Sequence, residues 1–211
     1  GTLLEQTIQR LDGLVLPQNI LILTNDAQIE AVREIASMLP PGNIFAEPAK
    51  RDTAPAVALG IGLIAARDPE AVMMVLPSDQ MIRDTEAYQA VMRDALATAA
   101  HSDGLVTIGI RPTWACPSYG YIERGKRASL PGLVCQHPAV EVARFREKPN
   151  IELAEQFLAQ GRFTWNAGIF VWSLPVVIRQ LATHAPELAR FVSELRRSPD
   201  VAATVEAQFP T

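Results

Sequence analysis

The feature that most constrains this chain is a repeated switch of hydrophobic period. Short, continuous apolar runs alternate with stretches whose apolar residues recur at helical spacing. Leu3, Leu4, Thr7, Ile8 and Leu11 form a helical stripe closed by Gly13. The run Asn19-Ile20-Leu21-Ile22-Leu23, bounded by Pro17 and by Thr24-Asn25-Asp26, reads as a buried strand. Asp26 is placed to cap a helix with the face Ile29, Val32, Ile35, Ala36 and Leu39, stopped by Pro40-Pro41-Gly42. Asn43-Ile44-Phe45-Ala46 reads as a second short strand. A polar loop over 47–55 then leads into a helix from about Pro55 to Arg67. That helix is apolar nearly all round, which predicts burial against a sheet, and its Gly60 and Gly62 predict close packing on a neighbour.

The strongest strand signal is Ala71-Val72-Met73-Met74-Val75-Leu76, which ends abruptly in Pro77-Ser78-Asp79-Gln80. An amphipathic helix over 84–100 and a strand over 105–110 follow. Three β-α repeats in a row imply a doubly wound, mostly parallel sheet with helices on both faces, an α/β fold of the Rossmann-like kind. After Arg111 the pattern changes to turn clusters and the strand-like Val140 to Phe145. A helix over 151–160, a strand over 168–172 and helical sequence over 175–197, broken near Pro186, complete the chain. The later segment reads as an elaboration of the same sheet, so residues 1–211 are expected to be a single domain with halves at 1–110 and 111–211.

Composition enters mainly by exclusion. At 211 residues and 48% hydrophobic, the chain can bury a core without disulfides or metal. A net charge of -4 argues against a nucleic-acid binder or a dedicated binder of anionic membranes. No eighteen-residue apolar run is present, and the opening residues lack the pattern of a secretory leader. Cys116 and Cys135 stand alone, without C-x-x-C spacing, which suits a reducing cytoplasm. His101, His137 and His184 are scattered and read as loop or helix-end residues, with no zinc-site spacing.

Ligands of open parallel sheets bind beyond the carboxyl ends of the strands, which ranks the polar residues found there. Asp79 follows the most apolar strand and could hold a divalent cation with substrate phosphates, or simply form a turn. Glu47-Pro48-Ala49-Lys50-Arg51-Asp52-Thr53-Ala54-Pro55 offers a helix N-terminus and two cations to an anion. A capped helix start explains Thr53 and Pro55 but not the Lys-Arg pair. In Phe145-Arg146-Glu147-Lys148-Pro149, Glu147 could accept from sugar hydroxyls and Lys148 could face phosphate; a solvated charge cluster is the plain alternative. Asn166, in Trp165-Asn166-Ala167-Gly168, can donate and accept, or can form a turn. Pro117-Ser118-Tyr119-Gly120-Tyr121 permits close backbone approach to a ligand, or makes a hairpin turn.

Taken in order, the stretches EPAKRDTAPAVAL, VLPSDQ, PSYGYIERG, FREKP and FTWNAGIFVW resemble the bacterial mannose-1-phosphate guanylyltransferases, within the sugar-nucleotide pyrophosphorylases. The resemblance runs over nearly the whole chain, and TAPA with LPSD and WNAGIF points to the guanylyl branch. It implies a three-layer nucleotidyltransferase fold that joins GTP and mannose 1-phosphate into GDP-mannose and pyrophosphate. Asp79 would hold Mg²⁺, acting catalytically with Lys148. Glu47, Arg51, Thr53, Ala54, Pro77 and Ser78 would line the nucleotide site. Gly120, Tyr121, Glu147, Lys148 and Asn166 would bind the sugar phosphate. A homodimer is compatible with the resemblance.

The family's glycine-rich loop, of the form GGxGTRLxPLS, has no counterpart here, nor does its second acid in an I-S-I-D-Y motif. Gln80 stands where relatives often have His. The fold is therefore expected to be incomplete at both ends, and the 211 residues alone to be inactive or nearly so. Two other readings compete. One is a non-catalytic sugar-nucleotide-binding or regulatory homologue, and the other is a nucleotidyltransferase for another hexose 1-phosphate.

Overall fold

A computed structural model describes residues 1–49 and 53–209. They form two compact units interleaved along the chain. Gly1–Met73, Ser78–Gln89 and the chain from Ser173 onward make the first, and Met74–Pro77 with Ala90–Trp172 make the second.

The first unit opens with helix α1 (Leu3–Gln9), started by a capping box in which the Glu5 N–H donates to the Thr2 hydroxyl at 3.1 Å and the Glu5 carboxylate returns to the Thr2 N–H. Strand β1 (Ile22–Asn25), helix α2 (Ile29–Ile35) and strand β2 (Ile44–Glu47) follow. β1 and β2 pair in parallel, Ile22 opposite Ile44 and Asn25 opposite Glu47. Ile8, Ala36, Leu39 and Ile44 form a small core here, with Ile22, Ile29 and Val32 packed against it. Asn43 fastens the start of β2: its amide donates to the carbonyls of Gln18 and Ile20 at 2.8 and 2.9 Å, and its own carbonyl accepts from Arg67 at 2.9 Å.

Two local expectations shift in this unit. The first strand runs Ile22–Asn25 instead of 19–23, because Pro17 sets a short 3-10 turn over Pro17–Asn19. Asp26 does not cap α2. Gln28 holds the cap position, and Asn25 Oδ1 accepts from the Gln28 N–H at 3.1 Å, so the turn belongs to Asn25.

Helix α3 (Thr53–Arg67) buries Ala58, Leu59, Gly60, Ile61, Gly62, Leu63 and Ala65, as its all-round apolarity predicts. Helices α4 (Thr85–Ala100), α5 (Ile151–Gln160), α6 (Leu174–His184), α7 (Pro186–Arg197) and α8 (Val201–Gln208) complete the helical set. α6 and α7 are separate, broken at Ala185 before Pro186. α8 escapes the sequence reading, since Val-Ala-Ala-Thr-Val-Glu-Ala-Gln has a weak apolar period and only Val205 is buried. No described helix is long and apolar enough to cross a membrane.

The larger sheet contains β3 (Val72–Val75), β4 (Val106–Ile110), β5 (Tyr121–Arg127), β6 (Val140–Arg146) and β7 (Phe163–Ser173), in the order β3-β7-β5-β6 with β4 also on β7. The α/β class holds, and β1–β2 is a parallel pair. Within the second unit, however, β4–β7, β5–β7 and β5–β6 pair antiparallel. Of these pairs only β5–β6 is joined by a single loop, residues 128–139 with Pro131, Gly132 and Pro138, while β7 reaches β4 and β5 after the chain has passed through β6 and α5.

β5 reads as a turn cluster in sequence because its outer half is Glu-Arg-Gly-Lys-Arg, exposed at four of five positions. β6 is exposed throughout and forms the sheet edge, where Glu141, Arg144 and Arg146 oppose edge-to-edge pairing. Under the sheet, Cys116, Tyr121, Ala154, Phe157, Phe163 and Trp165 form the core of this unit, with Phe157 and Phe163 stacked at 3.9 Å. Asn150 caps α5 by accepting the Leu153 N–H at 3.0 Å, and Gly161 (φ 66°) ends it.

Candidate functional site

The second unit gathers Gly120, Glu147 and Asn166. Gly120 is buried and precedes β5, and its carbonyl accepts the Asn166 N–H at 2.8 Å. A Cβ at Gly120 would lie 2.8 Å from Glu147 Oε2, 3.0 Å from Phe145 Cζ and 3.5 Å from Asn166 Cβ. The bare backbone at Gly120 is therefore flanked by a carboxylate, an aromatic edge and the root of an amide. Glu147 follows directly from the end of β6, while Asn166 lies within β7. The short β5–β6 and β5–β7 pairings bring these three segments together.

Asn166 sits inside a strand, not in a turn before one, and the expected strand over 168–172 begins at Phe163. The reason is an irregularity that looks like a turn in sequence. Gly109 pairs with Asn166 and Thr107 with Phe170, so Ile108 alone faces Ala167, Gly168 and Ile169. The extra residues are absorbed at Gly168, whose φ of 69° favours glycine. The Gly168 N–H turns back to Asn166 Oδ1 at 3.1 Å, and the Thr107 hydroxyl lies 3.2 Å from the same oxygen and 3.2 Å from the Ile169 carbonyl. Pro77 packs here as well: a Cβ on Gly168 would lie 3.4 Å from Pro77 Cγ.

Lys148 adjoins this group. Its backbone has φ 38°, the one positive value among described non-glycine residues. Buried Pro149 and the cap residue Asn150 follow it directly, so the start of α5 holds the strain. The Lys148 ammonium is 3.9 Å from Glu147 Oε1, with both side chains well exposed, an arrangement that leaves the cation available to an incoming anion.

Tyr121 belongs to the core. Its side chain is fully buried, and its hydroxyl accepts the Cys116 N–H at 3.0 Å. Its ring packs with Phe157 in the core and does not face solvent.

Of the described residues expected around a nucleotide, Glu47, Thr53, Ala54 and Ser78 fall at or just beyond strand and helix ends of the first unit, and Pro77 lies in the second. Glu47 ends β2, and burial raises its carboxyl above the ordinary value of 4.5. Thr53 and Ala54 open α3 and are exposed, at a helix N-terminus where unpaired N–H groups suit an anion. Lys50, Arg51 and Asp52 lie outside the described residues. Ser78 and Asp79 follow β3 and are exposed.

Among the described residues, no group of three His, Cys, Asp or Glu side chains is arranged to hold a metal. Asp79 is a single exposed carboxylate at a strand end. That fits a cation held mostly by phosphate oxygens and water, and not one caged by protein.

Sequence reasoning misses Thr107 and the Pro77–Gly168 contact. A polar Thr inside the apolar run 105–110 is the one signal it offers for the first. Glu147 and Asn166 are 19 residues apart in sequence, and only strand pairing reveals that they share a neighbour.

Known proteins share sequence and fold with this chain. A nucleotidyl transferase family model matches residues 1–209. The chain is 35% identical over 189 residues to a putative mannose-1-phosphate guanylyltransferase of Vibrio cholerae, covering 90% of this chain and 39% of that protein. It is also 35% identical to the mannose-1-phosphate guanylyltransferase of Escherichia coli K12, covering 89% of this chain and 39% of that protein. The chain thus spans about two fifths of the length of these relatives. A crystal structure described as a mannose-1-phosphate geranyltransferase of Thermus thermophilus superposes with a TM-score of 0.84 at 29% identity, over 99% of this chain and 58% of that one. A second, described as a mannose-6-phosphate isomerase of Helicobacter pylori, gives 0.74 at 30% identity, over 93% and 71%.

Proposed function

From the premise that this chain belongs to the nucleotidyl transferase family, we propose that it transfers GMP from GTP to mannose 1-phosphate, giving GDP-mannose and pyrophosphate. The observation that carries the reading is the convergence of Glu147 and Asn166 on the bare backbone of Gly120, in a chain similar to proteins named for this activity.

The chemistry needs no covalent enzyme intermediate. A phosphate oxygen of mannose 1-phosphate attacks the α-phosphorus of GTP in line. A new P–O bond forms, and the bond to pyrophosphate breaks with its electron pair on the leaving oxygen. Catalysis then rests on positioning and on neutralising charge.

In this reading Gly120 lets the sugar ring approach the backbone, Glu147 accepts from a sugar hydroxyl, and Asn166 donates to a sugar oxygen. Lys148 neutralises the sugar phosphate as it approaches the nucleotide. Tyr121 keeps Gly120 in place from the core. Glu47, Arg51, Thr53, Ala54, Pro77 and Ser78 line the nucleotide side. A divalent cation, which we take to be Mg²⁺ held by Asp79, would offset the charge of the phosphates. Free Cys116 and Cys135 suit a cytoplasmic setting, and a homodimer is compatible with the reading and open to light scattering. The halves 1–110 and 111–211 correspond to nucleotide and sugar-phosphate recognition in this proposal.

The test is turnover by the polypeptide carrying this chain, with pyrophosphate release and GDP-mannose formation as readouts. Turnover of UTP with glucose 1-phosphate, but not of GTP with mannose 1-phosphate, would overturn the assignment. Binding of GDP-mannose without any turnover would favour a non-catalytic homologue.

A further inference from the structure

We propose that Thr107 is a positioning residue that fixes the Asn166 amide with its oxygen turned into the sheet and its NH₂ turned toward the ligand. A backbone N–H can only donate, so the Asn166 atom 3.1 Å from the Gly168 nitrogen must be the carbonyl oxygen. The Thr107 hydroxyl lies 3.2 Å from that oxygen and 3.2 Å from the Ile169 carbonyl, and its single proton is shared between the two acceptors. Oδ1 is then held by the Gly168 N–H on one side and by this shared hydroxyl on the other, and Nδ2 makes no hydrogen bond among the described residues.

Asn and Gln amides are ambiguous readers, because rotation by half a turn exchanges donor for acceptor. Here the pairing of β4 with β7 removes the ambiguity. The register shift opposite Ile108 directs the Gly168 N–H back onto Asn166, and Thr107 arrives from β4 on the far side of the shift. Asn166 can therefore only donate to a ligand. Glu147, at the other flank of Gly120, can only accept when ionised. The pair would grip one hydroxyl group that accepts from Asn166 and donates to Glu147, a requirement met by a sugar hydroxyl and not by an ether or a bare carbonyl oxygen. This inference rests on reading the Gly120 group as a sugar site. The orientation of the amide is independent of that reading.

Two variants and two readouts separate these claims. Thr107→Val keeps the shape and removes the hydroxyl, while Thr107→Ser keeps the hydroxyl. If the Thr107 bond contributes as an ordinary neutral hydrogen bond does, Thr107→Val raises KM for mannose 1-phosphate about three- to tenfold with little change in kcat or in KM for GTP, and Thr107→Ser restores it. The second readout needs no turnover. The Asn166 side-chain NH₂ signals in ¹⁵N NMR are assigned by their loss in Asn166→Asp. They should be sharp and distinct in the wild type and in Thr107→Ser, and broadened by amide rotation in Thr107→Val.

Sharp, unchanged signals in Thr107→Val overturn the positioning role, whatever the kinetics. A kcat loss shared by Val and Ser with KM unchanged overturns it as well. If the polypeptide carrying this chain neither turns over mannose 1-phosphate nor binds it or GDP-mannose, the sugar reading fails and the NMR comparison still decides the role of Thr107.

Discussion

Gly62 of α3 lies so close to Leu195 of α7 that a Cβ on Gly62 would stand 2.9 Å from the Leu195 Cβ. Leu195 is itself almost fully buried, at 1% exposed, so it has no room to withdraw. Gly62→Ala is expected to destabilise the fold by about 1–3 kcal/mol through overpacking, read from urea denaturation midpoints. Gly60 is different: its nearest such neighbour is Leu23 at 3.8 Å, an ordinary contact, and Gly60→Ala should cost no more than a fraction of that. Equal losses at both sites would refute the close-packing account.

Lys148 separates a strain effect from a charge effect. Glycine tolerates its φ of 38°, and alanine does not. Lys148→Gly should be about 1 kcal/mol more stable than Lys148→Ala in chemical denaturation, while both weaken mannose 1-phosphate turnover alike. Equal stabilities would mean that the backbone there relaxes without cost.

Tyr121→Phe removes the acceptor of the buried Cys116 N–H and little else. An orphaned buried donor costs about 1–3 kcal/mol, so the variant should unfold at correspondingly lower denaturant. If Tyr121 acts on the site only by supporting Gly120, the KM for mannose 1-phosphate should change little in the folded variant.

Asp94 sets a pH dependence in the second unit. Its carboxyl is held below the ordinary value of 3.8, first by the backbone N–H of His137 at 2.8 Å. Burial is the next effect and opposes it; the His137 ring at 2.9 Å and the Cys135 thiol then add to the lowering. A carboxyl lowered by folding stabilises the fold above its unfolded value, and the contribution is lost as the pH falls through the lowered value. Asp94→Ala should therefore be less stable than the wild type at neutral pH, with the gap closing in acid. A gap independent of pH would sink this account.

Asp79→Asn tests the metal role directly. It keeps the volume and removes the charge of an exposed residue, so thermal unfolding should be unchanged. Mg²⁺-dependent nucleotidyl transfer should fall by at least about tenfold, since the charge offset at the phosphates is lost. Full activity across a magnesium titration would remove Asp79 from the mechanism.

Legibility in the sequence followed the locality of each signal. α3 and its burial, the break at Pro186 and the close packing at Gly62 are visible because adjacent residues carry them. β5 is hidden by its charged outer half, and β7 by the Asn-Ala-Gly of its irregular centre. The inward course of Tyr121 is equally hidden: beside Gly120 and Ser118 it reads as a loop aromatic, yet it packs against Phe157 at a ring distance of 5.3 Å.

By itself the sequence determined the α/β class, most helices, and the order of motifs that ties this chain to the nucleotidyl transferases. Each of these is carried by residues within a few positions of one another. Only tertiary structure decided which atom of Asn166 faces outward. That depends on the Gly168 N–H turned back onto Oδ1 and on a hydroxyl 59 residues away brought to 3.2 Å of the same oxygen, both set by the register between two antiparallel strands. Periodicity reports which face of an element is buried, whereas register decides which partners meet there.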